Sequence, residues 1–137
     1  MAEDEWQAPE VLAMILCDHI HRDGVTGKAY LLGVFSGTVP SGFPCLLLCS
    51  IYVAFTNGRG KYRACLRFVF AETEQELARG EGEIYLPDPL AVAELDLPDL
   101  RLPLPKAGKY RLDFLCNDVL CKSRFFLAQE LREGSTQ

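Results

Sequence analysis

The sequence lacks the segments that mark secreted and membrane-spanning chains. Residues 1–6 are acidic, whereas a signal peptide begins with a basic segment followed by an apolar one. The longest apolar run, residues 45–55, contains Ser50 and Tyr52 and is too short to cross a bilayer. We therefore expect a cytoplasmic protein with no transmembrane segment.

The sequence also has few residues that could support catalysis. No Gly-x-Ser-x-Gly elbow occurs, and the Gly-Arg-Gly-Lys stretch at residues 58–61 lacks the rest of a phosphate-binding loop. A nucleophilic site would have to use one of only two histidines. The net charge of −5 argues against nucleic acid as a partner. We expect no cofactor and no enzymatic activity.

What the chain does have is a series of short apolar runs separated by Gly, Pro, Asn and Asp, a pattern typical of all-β domains. It predicts one domain over residues 1–137, an antiparallel two-sheet sandwich of seven to nine strands, immunoglobulin-like or C2-like in outline. The core is expected over about residues 9–128, between short polar tails. The expected strands cover residues 11–21, 28–39, 45–56, 61–71, 77–86, 108–114 and 120–128. In the irregular stretch 87–105 we expect an edge strand or crossover, with a bend or bulge at Pro98-Asp99.

Alternation along two of these strands predicts which side chains face the core. Tyr110, Leu112 and Phe114 share one parity, and Arg111 and Asp113 share the other. If the side chains of neighbouring strands alternate in step, the arginines of these strands share the outer face of one sheet. This basic face could attract an acidic partner or an anionic surface. The alternative is a solvated face with cross-strand ion pairs. The expected basic face consists of Arg63, Arg67, Arg111 and Arg124.

Residues 17–21 read Cys-Asp-His-Ile-His and form the candidate metal site. On a strand, Cys17, His19 and His21 would share one face with neighbours about 7 Å apart. Thiolate and imidazole ligands together suit zinc best. The alternative is a strand end whose histidines face solvent. The other cysteine spacings, Cys45-x3-Cys49 and Cys116-x4-Cys121, do not match a zinc knuckle.

The six cysteines are expected to be reduced thiols in a cytosolic protein. Cys65 stands between Arg63 and Arg67 on the outward parity of its strand. Neighbouring guanidinium groups could lower its pKa. An ordinary partly buried thiol is the alternative that we favour.

Three short segments of the sequence resemble a known group of proteins. They are Ile-Leu-Cys-Asp at residues 15–18, Gly-Lys followed by Leu-Leu-Gly-Val-Phe within residues 27–35, and Ala-Gly-Lys-Tyr-Arg at residues 107–111. In this order and spacing the chain resembles, over residues 9–127, an uncharacterised bacterial family of small β-sandwich proteins with a domain-of-unknown-function label. The resemblance implies a β-sandwich fold and a cytoplasmic bacterial setting, and it implies no activity.

Taken together, these features favour a non-enzymatic binding or assembly module. Its partner is expected to be another protein, and a homo-oligomer is a second option. Two alternatives stay open: a metal-dependent enzyme built on Cys17, His19 and His21, and an anion-binding or membrane-surface sandwich that uses the basic face.

Overall fold

The computed structural model describes residues 7–132, and these form β-strands and connecting loops without any helix. The predicted all-β class is confirmed. The described residues form ten strands in three sheets, where the sequence predicted seven to nine strands in two. The strands are β1 (Glu10–Cys17), β2 (His19–Arg22), β3 (Ala29–Leu32), β4 (Gly37–Thr38), β5 (Cys45–Thr56), β6 (Gly60–Phe70), β7 (Gln75–Leu86), β8 (Ala93–Leu104), β9 (Gly108–Cys116) and β10 (Val119–Ala128).

Two larger sheets and one small pair contain these strands. The three-stranded sheet has the order β1-β5-β8, the five-stranded sheet has the order β4-β10-β9-β6-β7, and β2 pairs with β3. All pairings are antiparallel except the short parallel contact between β4 and β10. The strands β7 and β8 are therefore each the last strand of a sheet.

The two larger sheets share one hydrophobic core. Phe55 of β5 contacts Phe114 of β9 with ring centroids 6.0 Å apart, and Phe68 stacks on Tyr110 at 5.3 Å. Tyr110, Leu112 and Phe114 are buried, as their shared parity predicts. Burying aromatic rings of this size supplies a large part of the free energy of folding for such a domain.

The third sheet arises where the predicted first and second strands are interrupted. At Asp18 the backbone N–H donates to the carbonyls of Leu32 and Gly33, at 2.9 and 3.1 Å, so the chain leaves the β1–β5 pairing and enters the β2–β3 pair. The expected strand over residues 28–39 ends at Leu32, because Gly33 adopts a φ of 71°. Only Gly37–Thr38 of its second half pairs again.

Four of the strand pairs carry a register shift, and two of these bulges bear on the predicted orientation of side chains. The register of β5 and β8 shifts opposite Pro98 and Asp99, and Asp99 has a φ of 56°, so the predicted bulge is confirmed. Leu95, Leu97 and Leu100 accordingly all pack against the core. A second bulge, which the sequence did not predict, shifts β10 relative to β9 at Cys121.

No helix that could span a membrane is present in the described part of the chain. The expected polar tails cover residues 1–8 and 129–137. Most of these residues lie outside the range that the structure describes.

Candidate functional site

The structure separates the members of the candidate metal site. Cys17 is fully buried, and its thiol lies 3.7 Å from the carbonyl of Ser50. His19 and His21 are exposed on β2, where the ring of His21 meets the ring of Tyr30 edge-on. The break at Asp18 causes this separation. Within residues 7–132, no group of three His, Cys, Asp or Glu side chains could hold a metal ion.

Cys65 is buried on the outer side of β6. Burial raises the pKa of its thiol, although the nearby Arg79 guanidinium opposes this rise. The Arg79 Nη1 lies 3.6 Å from the Cys65 sulfur. The raised pKa agrees with the ordinary thiol that we favoured over an activated one, and it keeps Cys65 protonated at neutral pH.

The outer side of the five-stranded sheet carries a compact charge cluster around Asp113. Its side chain is 1% exposed and accepts hydrogen bonds from Arg67 at 2.9 Å, Arg111 at 2.8 Å and Ser123 at 2.7 Å. Burial opposes ionisation of Asp113, but these hydrogen bonds outweigh burial and hold its pKa below the usual range. Arg111 also pairs with Glu74 at 2.7 Å. The two arginines are thus matched by two carboxylates.

Of the other two residues of the expected basic face, Arg63 lies on the same side of β6 as Arg67, as predicted, whereas Arg124 does not. Arg63 pairs with the exposed Asp118 at 2.5 Å. Arg124 stands directly opposite the buried Leu112, so it projects from the opposite side of the sheet to Arg111. Its guanidinium donates to Ser36 at 3.1 Å, and its Nε has no hydrogen-bond partner among the described residues. The shared parity predicted for Arg111 and Arg124 is wrong because the bulge at Cys121 reverses the alternation of β10.

A cleft of about 390 Å³ opens between the two larger sheets, where β7 and β8 form facing edges. This volume lies within the range of about 300–1,000 Å³ that is usual for small-molecule pockets. One wall comes from the edge strand β8 and the other from β6 and β7. The apolar side chains that define these walls are Leu95, Leu97, Leu100, Leu66, Phe68 and Ile84.

Two glycines create much of this space. Gly80 lies directly opposite Leu66, and Gly82 opposite Ala64, so both occupy the cleft-facing side of β7. A Cβ atom added at either glycine would meet nothing within 4 Å, and neither has a positive φ. Neither the backbone nor a neighbouring atom therefore requires glycine here. Glycine inside a strand often marks a place where a ligand or another backbone approaches closely.

The rim of the cleft is charged, while its interior is apolar. Arg79 pairs with Glu76 at 2.8 Å and with Glu81 at 3.1 Å, and these pairs hold it on the outer side of β7. Glu83 is exposed at the same rim without an ion pair to any residue in the described range. A group that enters the cleft would meet hydrocarbon inside and carboxylates at the edge.

Sequence reasoning missed this cleft because it depends on two sheet edges facing each other. A local signal did exist, since Ala78, Gly80 and Gly82 place three small residues in a row on the core-facing parity of one strand. These small residues alternate with the charged residues Arg79 and Glu81, a pattern that is typical of an ordinary exposed strand. The register with β6 is needed to show that the small residues face the cleft.

The sequence model of DUF6941, a family of unknown function, matches residues 12–127. No curated protein matches the chain. The chain belongs to this family of unknown function, which supplies no activity with which to interpret the cleft.

Proposed function

We propose that this protein is a non-enzymatic binding module that accepts an apolar group in the cleft between β7 and β8. The observation that carries the proposal is the open space at Gly80 and Gly82, where side chains would fit but are absent. In a strand, glycine is destabilising relative to alanine by roughly 0.5–1 kcal/mol. A requirement for the space would explain why this cost is tolerated.

The chemistry of the cleft fits binding better than catalysis. Its interior is lined by apolar side chains, which offer burial and no proton transfer, while the charged side chains of the lining lie at the rim. The nearest candidate nucleophile, Cys65, has a raised pKa and stays a thiol. Such a surface recognises a ligand by shape and by removal of apolar area from water.

The two alternatives receive less support from the geometry. Arg67, Arg111 and Arg63 already pair with carboxylates of the same chain, so little of their charge is left for an anionic partner. The separation of Cys17 from His19 and His21 argues against a shared metal ion.

The proposal retains the finer expectations drawn from the sequence. The two larger sheets with their common core support a sandwich-like architecture, and we propose an immunoglobulin-like or C2-like outline for it. We also propose a cytoplasmic bacterial setting and a protein as the natural partner.

Fluorescence titration with Nile red, a neutral apolar dye, tests the proposal. We expect saturable binding to the wild-type protein and its loss in Gly80→Leu, which would fill the cleft. The matched control is Lys61→Val, which adds an apolar side chain to the outer side of the adjacent strand β6, away from the residues that line the cleft, and should leave dye binding unchanged. Equal binding by wild type and Gly80→Leu would contradict the proposal.

A further inference from the structure

We propose that the occupant of the cleft is an extended segment of another protein, which pairs with the free edge of β7 as an additional strand and inserts alternate apolar side chains into the cleft. This inference rests on the proposed binding function and specifies the partner. It follows from the edge, the glycines and the rim charges together.

The free edge of β7 is long, and beyond a bulge at Leu77 its pairing with β6 is regular from Ala78 to Leu86. The strand covers Gln75–Leu86, is the last in the five-stranded sheet, and pairs only with β6 among the described residues. It contains no proline over its 12 residues, so none of its backbone donors is missing. An edge of this kind presents a row of unpaired N–H and C=O groups that an extended peptide can use.

The facing edge of β8 is less suited to pairing. Pro98 and Pro103 both lack a backbone N–H, and the bulge at Pro98-Asp99 breaks the regular spacing of the strand. Prolines and bulges are devices that prevent edge pairing. The contrast between the two edges therefore points to β7 as the strand that receives the partner.

A strand added to β7 would place its side chains in the cleft. Neighbouring strands lie about 4.8 Å apart, so the new strand would run beside β7 and reduce the gap to β8. Because side chains alternate, every second residue of the partner would project on the side of Gly80 and Gly82, towards Leu97 and Leu100. The glycines leave room for these side chains.

The charges of β7 specify the other face of the partner strand. Glu81 and Glu83 lie on the outer side of β7, and Arg79 is already engaged by Glu76 and Glu81. Glu83 has no ion pair within residues 7–132, so a partner with lysine or arginine at its outward positions would pair across the strands with Glu83. The geometry thus favours a sequence in which apolar and basic residues alternate.

Isothermal titration calorimetry with a blocked heptapeptide of alternating lysine and valine tests this inference. We expect saturable binding that is lost in Gly80→Leu and weakened in Glu83→Lys. A peptide of the same composition, with its lysines and valines grouped in two blocks, controls for charge attraction and should bind at least about tenfold more weakly, a difference of 1.4 kcal/mol.

Backbone methylation separates strand pairing from side-chain burial. Two versions of the peptide carry N-methyl groups on its lysines or on its valines, which removes alternate backbone donors without changing the side chains. We expect one version to lose at least about tenfold in affinity, because several backbone hydrogen bonds disappear together. Equal binding by the parent and both methylated peptides would overturn the inference.

The outcomes also distinguish this inference from the function on which it rests. If Nile red binds and is excluded by Gly80→Leu while the alternating peptide does not bind, the cleft is a site for a small apolar molecule and the peptide inference is wrong. If sedimentation shows a dimer that Gly80→Leu abolishes, a second copy occupies the edge, which likewise contradicts it. If neither dye nor peptide binds, both proposals fail.

Discussion

Replacing Gly80 and Gly82 by alanine should make the protein more stable, although glycine-to-alanine changes often disrupt a fold. Neither glycine has a positive φ, and a Cβ atom at either position meets nothing within 4 Å. Alanine therefore introduces no steric clash and lowers the conformational entropy of the unfolded chain.

The expected gain is about 0.5–1 kcal/mol for each substitution and about 1–2 kcal/mol for both, if the two effects add. Gly33→Ala is the matched contrast. Gly33 has a φ of 71°, and a Cβ atom there would lie 3.0 Å from the Cβ of Asp18. A left-handed conformation costs a non-glycine residue roughly 1–2 kcal/mol, so this variant should lose stability.

Urea unfolding measures these differences. With a slope of about 1–3 kcal/mol/M, a gain of about 1 kcal/mol raises the midpoint by roughly 0.3–1 M. The midpoint should rise in Gly80→Ala and Gly82→Ala and fall in Gly33→Ala. A fall in Gly80→Ala as large as that in Gly33→Ala would contradict this prediction, because it would mean that the backbone itself requires glycine.

Three other predictions concern the charge cluster and the thiols. Asp113→Asn should destabilise the protein by about 2–3 kcal/mol in the same urea assay, somewhat less than the loss of a fully buried ion pair, because Arg67 is 32% exposed. The control is Asp118→Asn, at a site 78% exposed, which should change stability by less than about 0.5 kcal/mol. The pKa of Asp113 is lower in the folded than in the unfolded state, so its contribution to the free energy of unfolding is complete above about pH 4 and is lost as the pH falls through the folded pKa. The difference in urea midpoint between wild type and Asp113→Asn should therefore shrink below about pH 4. A constant difference would contradict the low pKa of Asp113. Iodoacetamide should label the half-buried Cys45 and Cys121 first and the buried thiols only after unfolding, and peptide mass mapping locates the labels. Burial and Cys121 raise the pKa of Cys116 to about 12, so rapid labelling of Cys116 in the native protein would be inconsistent with the structure.

Much of the fold could be predicted from local sequence patterns. The bulge at Pro98-Asp99 was predictable because the leucines on either side differ in parity, and both sets needed to reach the core. The buried positions of Tyr110, Leu112 and Phe114 followed from simple alternation. These features depend on short stretches of chain in which one periodicity dominates.

The errors have a different physical origin. Nothing local to β10 signals the bulge at Cys121, which places Arg124 opposite Leu112 and away from Arg111. Asp113 looked like an outward-facing acid, and its burial depends on Arg67 and Ser123 from neighbouring strands. Such features are set by register between strands, which alternation within one strand does not determine.

The candidate site was missed for the same reason. The cleft exists because β7 and β8 end their respective sheets side by side, although they are neighbours in the chain and do not pair. Sequence alone identified the strand that contains Gly80 and Gly82, but assigning those glycines to the cleft required the register with β6.

An amide NMR titration with 1-octanol, a neutral apolar ligand, most directly tests whether the cleft is the binding site. We expect saturable shifts at Gly80, Gly82 and the facing residues Leu97 and Leu100. The separate apolar surface formed by the exposed side chains of Leu46 and Leu48 should show none. Shifts confined to that surface, or no saturable shifts at β7 and β8, would mean that the cleft does not bind apolar ligands.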